Sequence, residues 1–98
     1  MIKQAPVKGS DQVKVSFVIP SGRIAGRVSV VGDFNGWDPA SHPLRKRANG
    51  TRSVSVSLPA GGRYAFRYVT DDGTWHDDDA VGEFEPNGFG GANAVLTT

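Results

Sequence analysis

Apolar side chains recur at every second position through most of this chain, and no segment shows a helical spacing. Val13, Val15, Phe17 and Ile19 fall on one side of an extended backbone, with Gln12, Lys14 and Ser16 on the other. Val28 and Val30 repeat the pattern. Val54, Val56 and Leu58 alternate with serines 53, 55 and 57, and Tyr64, Phe66 and Tyr68 alternate with Ala65, Arg67 and Val69. Ala94 to Thr97 reads as a last strand, and Leu44-Arg45-Lys46 as a short one. Pro20-Ser21-Gly22, Pro59-Ala60-Gly61-Gly62 and Asp71-Asp72-Gly73 punctuate the runs, and most of the 13 glycines and 6 prolines lie between them. Alternation of this kind leaves one face of each sheet buried and the other wet. Roughly six or seven short strands, with turns about every 8–12 residues, predict an all-β fold, an antiparallel β-sandwich.

The 98 residues suffice for one domain with a modest core. Residues 1–10 are expected to form a flexible N-terminal arm, residues 11–98 the single sandwich domain, and residues 76–91 a long loop within it. The chain has no cysteine, which excludes a disulfide framework, thiol chemistry and a thiolate metal site. Residues 1–10 lack the apolar core of a secretory signal, and no apolar run approaches the ~20 residues of a membrane span. A cytoplasmic protein without a membrane partner is the expectation. Asn49-Gly50-Thr51 matches a glycosylation acceptor, but an unsecreted chain would not use it, and it reads as a turn.

The net charge is +1, but all 11 Lys and Arg lie at or before Arg67. Residues 1–70 carry 11 basic and 3 acidic groups (+8), and residues 71–98 carry 7 acidic groups and no basic ones (−7). If the acidic part folds back beside the early strands, the two sets neutralise each other. A basic face for nucleic acid is the alternative, yet Arg45-Lys46-Arg47 has no neighbouring aromatics on which bases could stack. No nucleic-acid partner is expected. Asp77-Asp78-Asp79, with Asp71, Asp72 and His76 nearby, matches no EF-hand spacing and is expected to be a solvated loop without a metal. So short a chain offers little depth for paired catalytic carboxylates. His42 and His76 have no nucleophile motif around them and read as surface residues. Neither an enzyme nor a cofactor is implied.

Three features stand outside the strand pattern. Trp37 lies in Gly32-Asp33-Phe34-Asn35-Gly36-Trp37-Asp38-Pro39, a turn-forming segment just past a strand. Trp75 follows the turn Asp71-Asp72-Gly73-Thr74. Phe89 is flanked by glycines in Asn87-Gly88-Phe89-Gly90-Gly91-Ala92-Asn93. Each ring either caps the core or faces a ligand. Sugars present apolar C–H faces and a rim of hydroxyls, so a sugar site needs flat aromatics to stack on and amide or charged groups for the rim. Trp37, Trp75 and Phe89 can supply the first, and Arg67 and Asn93 the second.

Taken together, Gly32-Asp33-Phe34-Asn35-Gly36-Trp37, Leu58-Pro59-Ala60-Gly61, the run Tyr64, Phe66, Arg67 and Tyr68, Asp72-Gly73-Thr74-Trp75, Pro86-Asn87 and Asn93 resemble the family 48 carbohydrate-binding modules. These are the isoamylase N-terminal early-set domains, related to the glycogen-binding domain of the AMP-activated protein kinase β subunit. The resemblance runs from about Val13 to Thr98. It implies an immunoglobulin-like β-sandwich that binds α-1,4-glucans such as glycogen, starch or maltooligosaccharides without catalysis. It also implies a carbohydrate-binding site, with Trp37 and Trp75 at the two tryptophan positions and Arg67 at the basic position, where the kinase-type domain has lysine. Phe89 falls where that domain has leucine, and Asn93 falls on the asparagine. Counting from Tyr64 instead would put Ala65 at the basic position, on the same side of the strand. Many family members sit beside the catalytic domains of debranching and branching enzymes as structural modules. With no attached catalytic domain in these 98 residues, a glucan partner is expected first, and docking to a glycogen-metabolising enzyme second.

Overall fold

The computed structural model describes residues 2–20, 22–24, 26–78, 83–86 and 91–98. Among them are nine strands and no helix: β1 (Ile2–Pro6), β2 (Gln12–Ile19), β3 (Val28–Gly32), β4 (Arg45–Lys46), β5 (Arg52–Pro59), β6 (Arg63–Thr70), β7 (Trp75–His76), β8 (Phe84–Pro86) and β9 (Ala92–Thr97). They form two antiparallel sheets, in the orders β1-β2-β5-β4 and β3-β6-β9-β8, with β7 also on β6. The expected immunoglobulin-like sandwich is the fold observed.

The core follows from the alternation. Val15 pairs with Val56 and Phe17 with Val54 between β2 and β5, so one face of that sheet is apolar. Val28, Val30, Phe66, Tyr68, Ala94 and Leu96 answer from the second sheet, and all six are buried. Phe66 is the hub of the aromatic packing, with its ring centroid 5.2 Å from Phe17 and 5.9 Å from Tyr68. Buried aromatics of this size dominate core energetics.

Two expectations for the chain's course are corrected. Where an N-terminal arm was expected, Ile2–Pro6 forms strand β1, paired with Phe17 back to Val13. Four of its five residues are exposed, so an edge strand of this kind carries almost no alternation. The stretch 76–91 is not a plain loop either, since Phe84–Pro86 adds strand β8 alongside β9.

A third correction bears on the site. The outward face of the second sheet is not simply wet. Val31, Ala65, Val69 and Val95 stand opposite in parity to the core residues, yet each is at least nine-tenths buried. Ser29 on the same face is 8% exposed. Part of the cover is visible in the pairing, with Pro43 bridging to Ser29 and Trp75 lying opposite Val69.

Candidate functional site

Strand β6 is the spine of the site, because its free edge changes partner midway. Arg63 to Phe66 pair with β9, while Tyr68 and Val69 pair with β7. Strand β3 occupies the other edge across Phe66 to Thr70. Arg67 stands at the changeover, on the outward face beside Ala65 and Val69. Its cross-strand neighbour on β3 is Val31. Trp75 is directly opposite Val69, so its ring lies on the same outward face next to Arg67. The Arg67 guanidinium carbon sits 5.4 Å from the Trp75 ring centroid, within cation–π range. Its Nε donates to Asp77 Oδ1 at 2.9 Å. The guanidinium is thus held from two sides, by the Trp75 ring and by Asp77. The ion pair itself contributes little, roughly 0–1 kcal/mol, because Asp77 is half exposed.

Trp37 reaches the site by a different construction. Strand β3 ends at Gly32, where a Cβ would lie 2.5 Å from the Ala65 carbonyl oxygen and 2.9 Å from Phe66 Cβ. Only glycine permits this approach of the turn to β6. The chain then folds tightly: the Asn35 and Trp37 amides both donate to the Gly32 carbonyl, each at 3.1 Å. The Asn35 side chain ties the turn together. Its Oδ1 accepts from the Gly32 and Trp37 amides, and its Nδ2 donates to the Val30 carbonyl. Gly36 and Trp37 both take positive φ, 68° and 61°. For a bulky residue this left-handed conformation costs about 1–2 kcal/mol, and strain of this kind collects at functional sites.

The strained turn sends its two rings in opposite directions. Phe34 turns inward and stacks on Phe17 with centroids 5.5 Å apart. It, and not Trp37, caps the core. The Trp37 indole turns outward, where its Nε1 donates to Asp33 Oδ1 at 3.2 Å. Asp33 Oδ2 accepts the Ala65 amide at 2.9 Å, so one carboxylate links the indole to β6.

Trp37, Arg67, Trp75 and Asn93 line one open concavity of about 620 Å³. Trp75 is 47% exposed and Trp37 is half-buried. Of the five residues singled out from the sequence, these four are brought together, and Phe89 lies outside the described residues. Asp33, Ala65, Glu85 and Pro86 complete the lining and were not singled out. Asp33 was hidden as one more turn residue. Glu85 carried no sequence signal, because its three-residue strand was read as loop. It stands directly opposite Asn93 on β9.

The acidic stretch departs from expectation. Asp77 engages Arg67, and Asp78 is 3% exposed, accepting a hydrogen bond of 2.8 Å from the Tyr68 hydroxyl. Burial, reinforced by the Asp78 carboxylate, pushes the Tyr68 hydroxyl far above the usual tyrosine range. Asp79 lies outside the described residues. His42 is not a free surface group either. Its Nδ1 lies 2.9 Å from Asn35 Nδ2 and its ring meets the edge of Phe34, so it supports the Trp37 turn. Among the described residues no group of three His, Cys, Asp or Glu side chains could hold a metal ion, and no helix is long and apolar enough to cross a membrane. The halves of the chain meet through Arg63 with Glu83 and Glu85, as well as Arg67 with Asp77.

Comparison with known proteins bears on the family of the chain. Residues 8–81 match the family model of carbohydrate-binding module 48, the isoamylase N-terminal domain. A 1,4-alpha-glucan branching enzyme, GlgB, of Cupriavidus pinatubonensis is 37% identical over 81 residues, covering 82% of this chain and 10% of that protein. The GlgB of Burkholderia cenocepacia is 43% identical over 72 residues, 69% of this chain and 9% of that protein. GlgB 2 of Xanthomonas campestris is 48% identical over 50 residues, 50% of this chain and 7% of that protein. The chain thus spans about a tenth or less of the length of these relatives. With its family model matched over most of its length, the chain belongs to the carbohydrate-binding module 48 family, the isoamylase N-terminal domains.

Proposed function

We propose that this domain binds α-1,4-glucan without catalysing its conversion, by stacking glucose rings on Trp37 and Trp75. Arg67 and Asn93 hydrogen-bond the hydroxyl rim, and Phe89 adds a third apolar surface. The observation that carries this reading is the grouping of both indoles with Arg67 and Asn93 around one open concavity. Apolar C–H faces meet the rings, and polar groups meet the rim. An open platform buries only part of each sugar and must order a flexible oligosaccharide. Its affinity is therefore modest, with Kd between about 1 µM and 1 mM. The cytoplasm is the compartment in which a cysteine-free glucan binder of this kind would work.

The test is a titration with β-cyclodextrin or maltoheptaose followed by tryptophan fluorescence. Saturable quenching or enhancement is expected, and its absence at millimolar sugar would sink the reading. A second reading is supported by the relatives, in which the matched segment is a small part of a branching enzyme. Under it, the domain is an accessory or docking module that presents glucan to such an enzyme. A Trp37→Ala, Trp75→Ala variant separates the two: it loses sugar in both readings but keeps an enzyme partner only in the second.

A further inference from the structure

The concavity is charged in one direction. Its lining contributes Asp33, Glu85 and Arg67. Arg67 already faces Asp77, and Glu85 faces Arg63, which also meets Glu83. Among the described residues, the charged lining and its ion-pair partners thus comprise two cationic and four anionic groups, a balance of −2. Both cations are bound to carboxylates.

The donor and acceptor inventory is equally lopsided. Arg67 and the two indoles only donate. The carboxylate of Asp33 is engaged on both oxygens, by the Trp37 and Ala65 N–H groups. Glu85 is different. Arg63 Nη1 binds its Oε2 at 2.8 Å, and a carboxylate has about four acceptor positions. Arg63 shares the outward parity of Ala65 and Arg67 on β6, so this bond holds the Glu85 side chain across the outward face beside Asn93. The Glu85 side chain is one-third exposed.

We propose that Glu85 is a specificity-determining residue of this site, accepting hydroxyl hydrogen bonds from a neutral glucan and turning away glucans that carry phosphate esters. The proposal rests on the glucan reading above and adds the class of glucan to it. A neutral sugar supplies the hydroxyl protons that a carboxylate accepts, and Arg67 and Asn93 supply donors for the sugar's oxygens. A phosphate ester brings up to two negative charges to within several ångströms of a local charge of −2. Both available guanidinium groups are already paired. At physiological salt this repulsion is expected to weaken binding roughly three- to tenfold.

The experiment compares maltoheptaose with maltoheptaose carrying one 6-phosphate, on the wild-type domain and on Glu85→Gln and Arg63→Met. The wild type is expected to bind the neutral sugar roughly three- to tenfold more tightly, with the gap closing as salt screens it. Glu85→Gln is expected to weaken the neutral sugar and narrow the gap. Arg63→Met removes a positive charge but keeps the carboxylate, and is expected to widen the gap. Thermal melting confirms that each variant is folded. Equal affinity of the wild type for the two sugars, or a Glu85→Gln variant with wild-type affinity and gap, overturns the proposal and leaves the glucan reading standing. No binding of either sugar by the wild type overturns both.

Discussion

The Asp33 carboxylate orients the Trp37 indole. Oδ1 accepts the indole N–H at 3.2 Å while Oδ2 accepts the Ala65 amide at 2.9 Å, so the ring is referenced to strand β6 although it sits on a turn. Asp33→Asn replaces one acceptor oxygen with a donor and cannot satisfy both N–H groups. Glucan affinity is expected to fall about three- to tenfold, with roughly 1–2 kcal/mol lost in stability. Calorimetric titration and urea unfolding check the two effects separately.

Gly32→Ala should be among the most damaging single-methyl additions in the domain. The new Cβ would meet the Ala65 carbonyl oxygen at 2.5 Å and Phe66 Cβ at 2.9 Å, and neither belongs to a side-chain tip that can swing away. Overpacking of this kind costs about 1–3 kcal/mol. In a domain of this size that is a fall in Tm of roughly 5–20 °C, readable by circular dichroism.

The two tryptophans should separate binding from stability differently. Trp75 is 47% exposed and holds no core position, so Trp75→Ala is expected to weaken glucan binding at least tenfold and to shift stability by under ~1 kcal/mol. Trp37→Ala is expected to weaken binding as strongly. It also relieves little of the turn's strain, because alanine at φ 61° is disfavoured too. Fluorescence titration of each single variant, using the remaining indole as reporter, tests both statements.

Tyr68 should make the fold alkali-sensitive. Its hydroxyl is held protonated in the folded state, chiefly by burial and then by Asp78. A raised folded-state pKa means that stability is fully present below the unfolded pKa of about 10. Above it, the unfolded chain releases a proton that the folded chain keeps, so stability is expected to fall by roughly 1.4 kcal/mol per pH unit. Urea midpoints between pH 8 and 11 are expected to drop above pH 10. In Tyr68→Phe that component of the slope should vanish, so the variant's deficit below pH 10, where it loses the hydrogen bond to Asp78, should shrink as the pH rises.

The strands that bury a face were readable as such. In β2, β5 and β6 the side-chain period of two is printed directly into the residue order, because each inward position must be apolar. Strands β1 and β8 were not readable for the opposite reason. They are edge strands held mainly by backbone hydrogen bonds, and a pairing that buries little side chain leaves no pattern. The aromatic and amide residues of the site announced themselves by type, and the family resemblance ordered them. Asp33 and Glu85 did not, since a carboxylate in a turn or loop looks the same whether it orients an indole or faces water.

Residue order was enough to establish an all-β sandwich, its inward face, and a tryptophan in a turn that serves either the core or a ligand. All three are local matters of periodicity and turn chemistry. Folding settled which ring of the turn faces which way: Phe34 stacks on Phe17 and Trp37 bonds to Asp33. It also settled which acids meet which bases, since Arg67 with Asp77 and Arg63 with Glu85 are joined only when β6 gathers β7 and β9 on one edge. Those pairings depend on distances between segments remote along the chain, and such distances exist only once the core has brought the strands together.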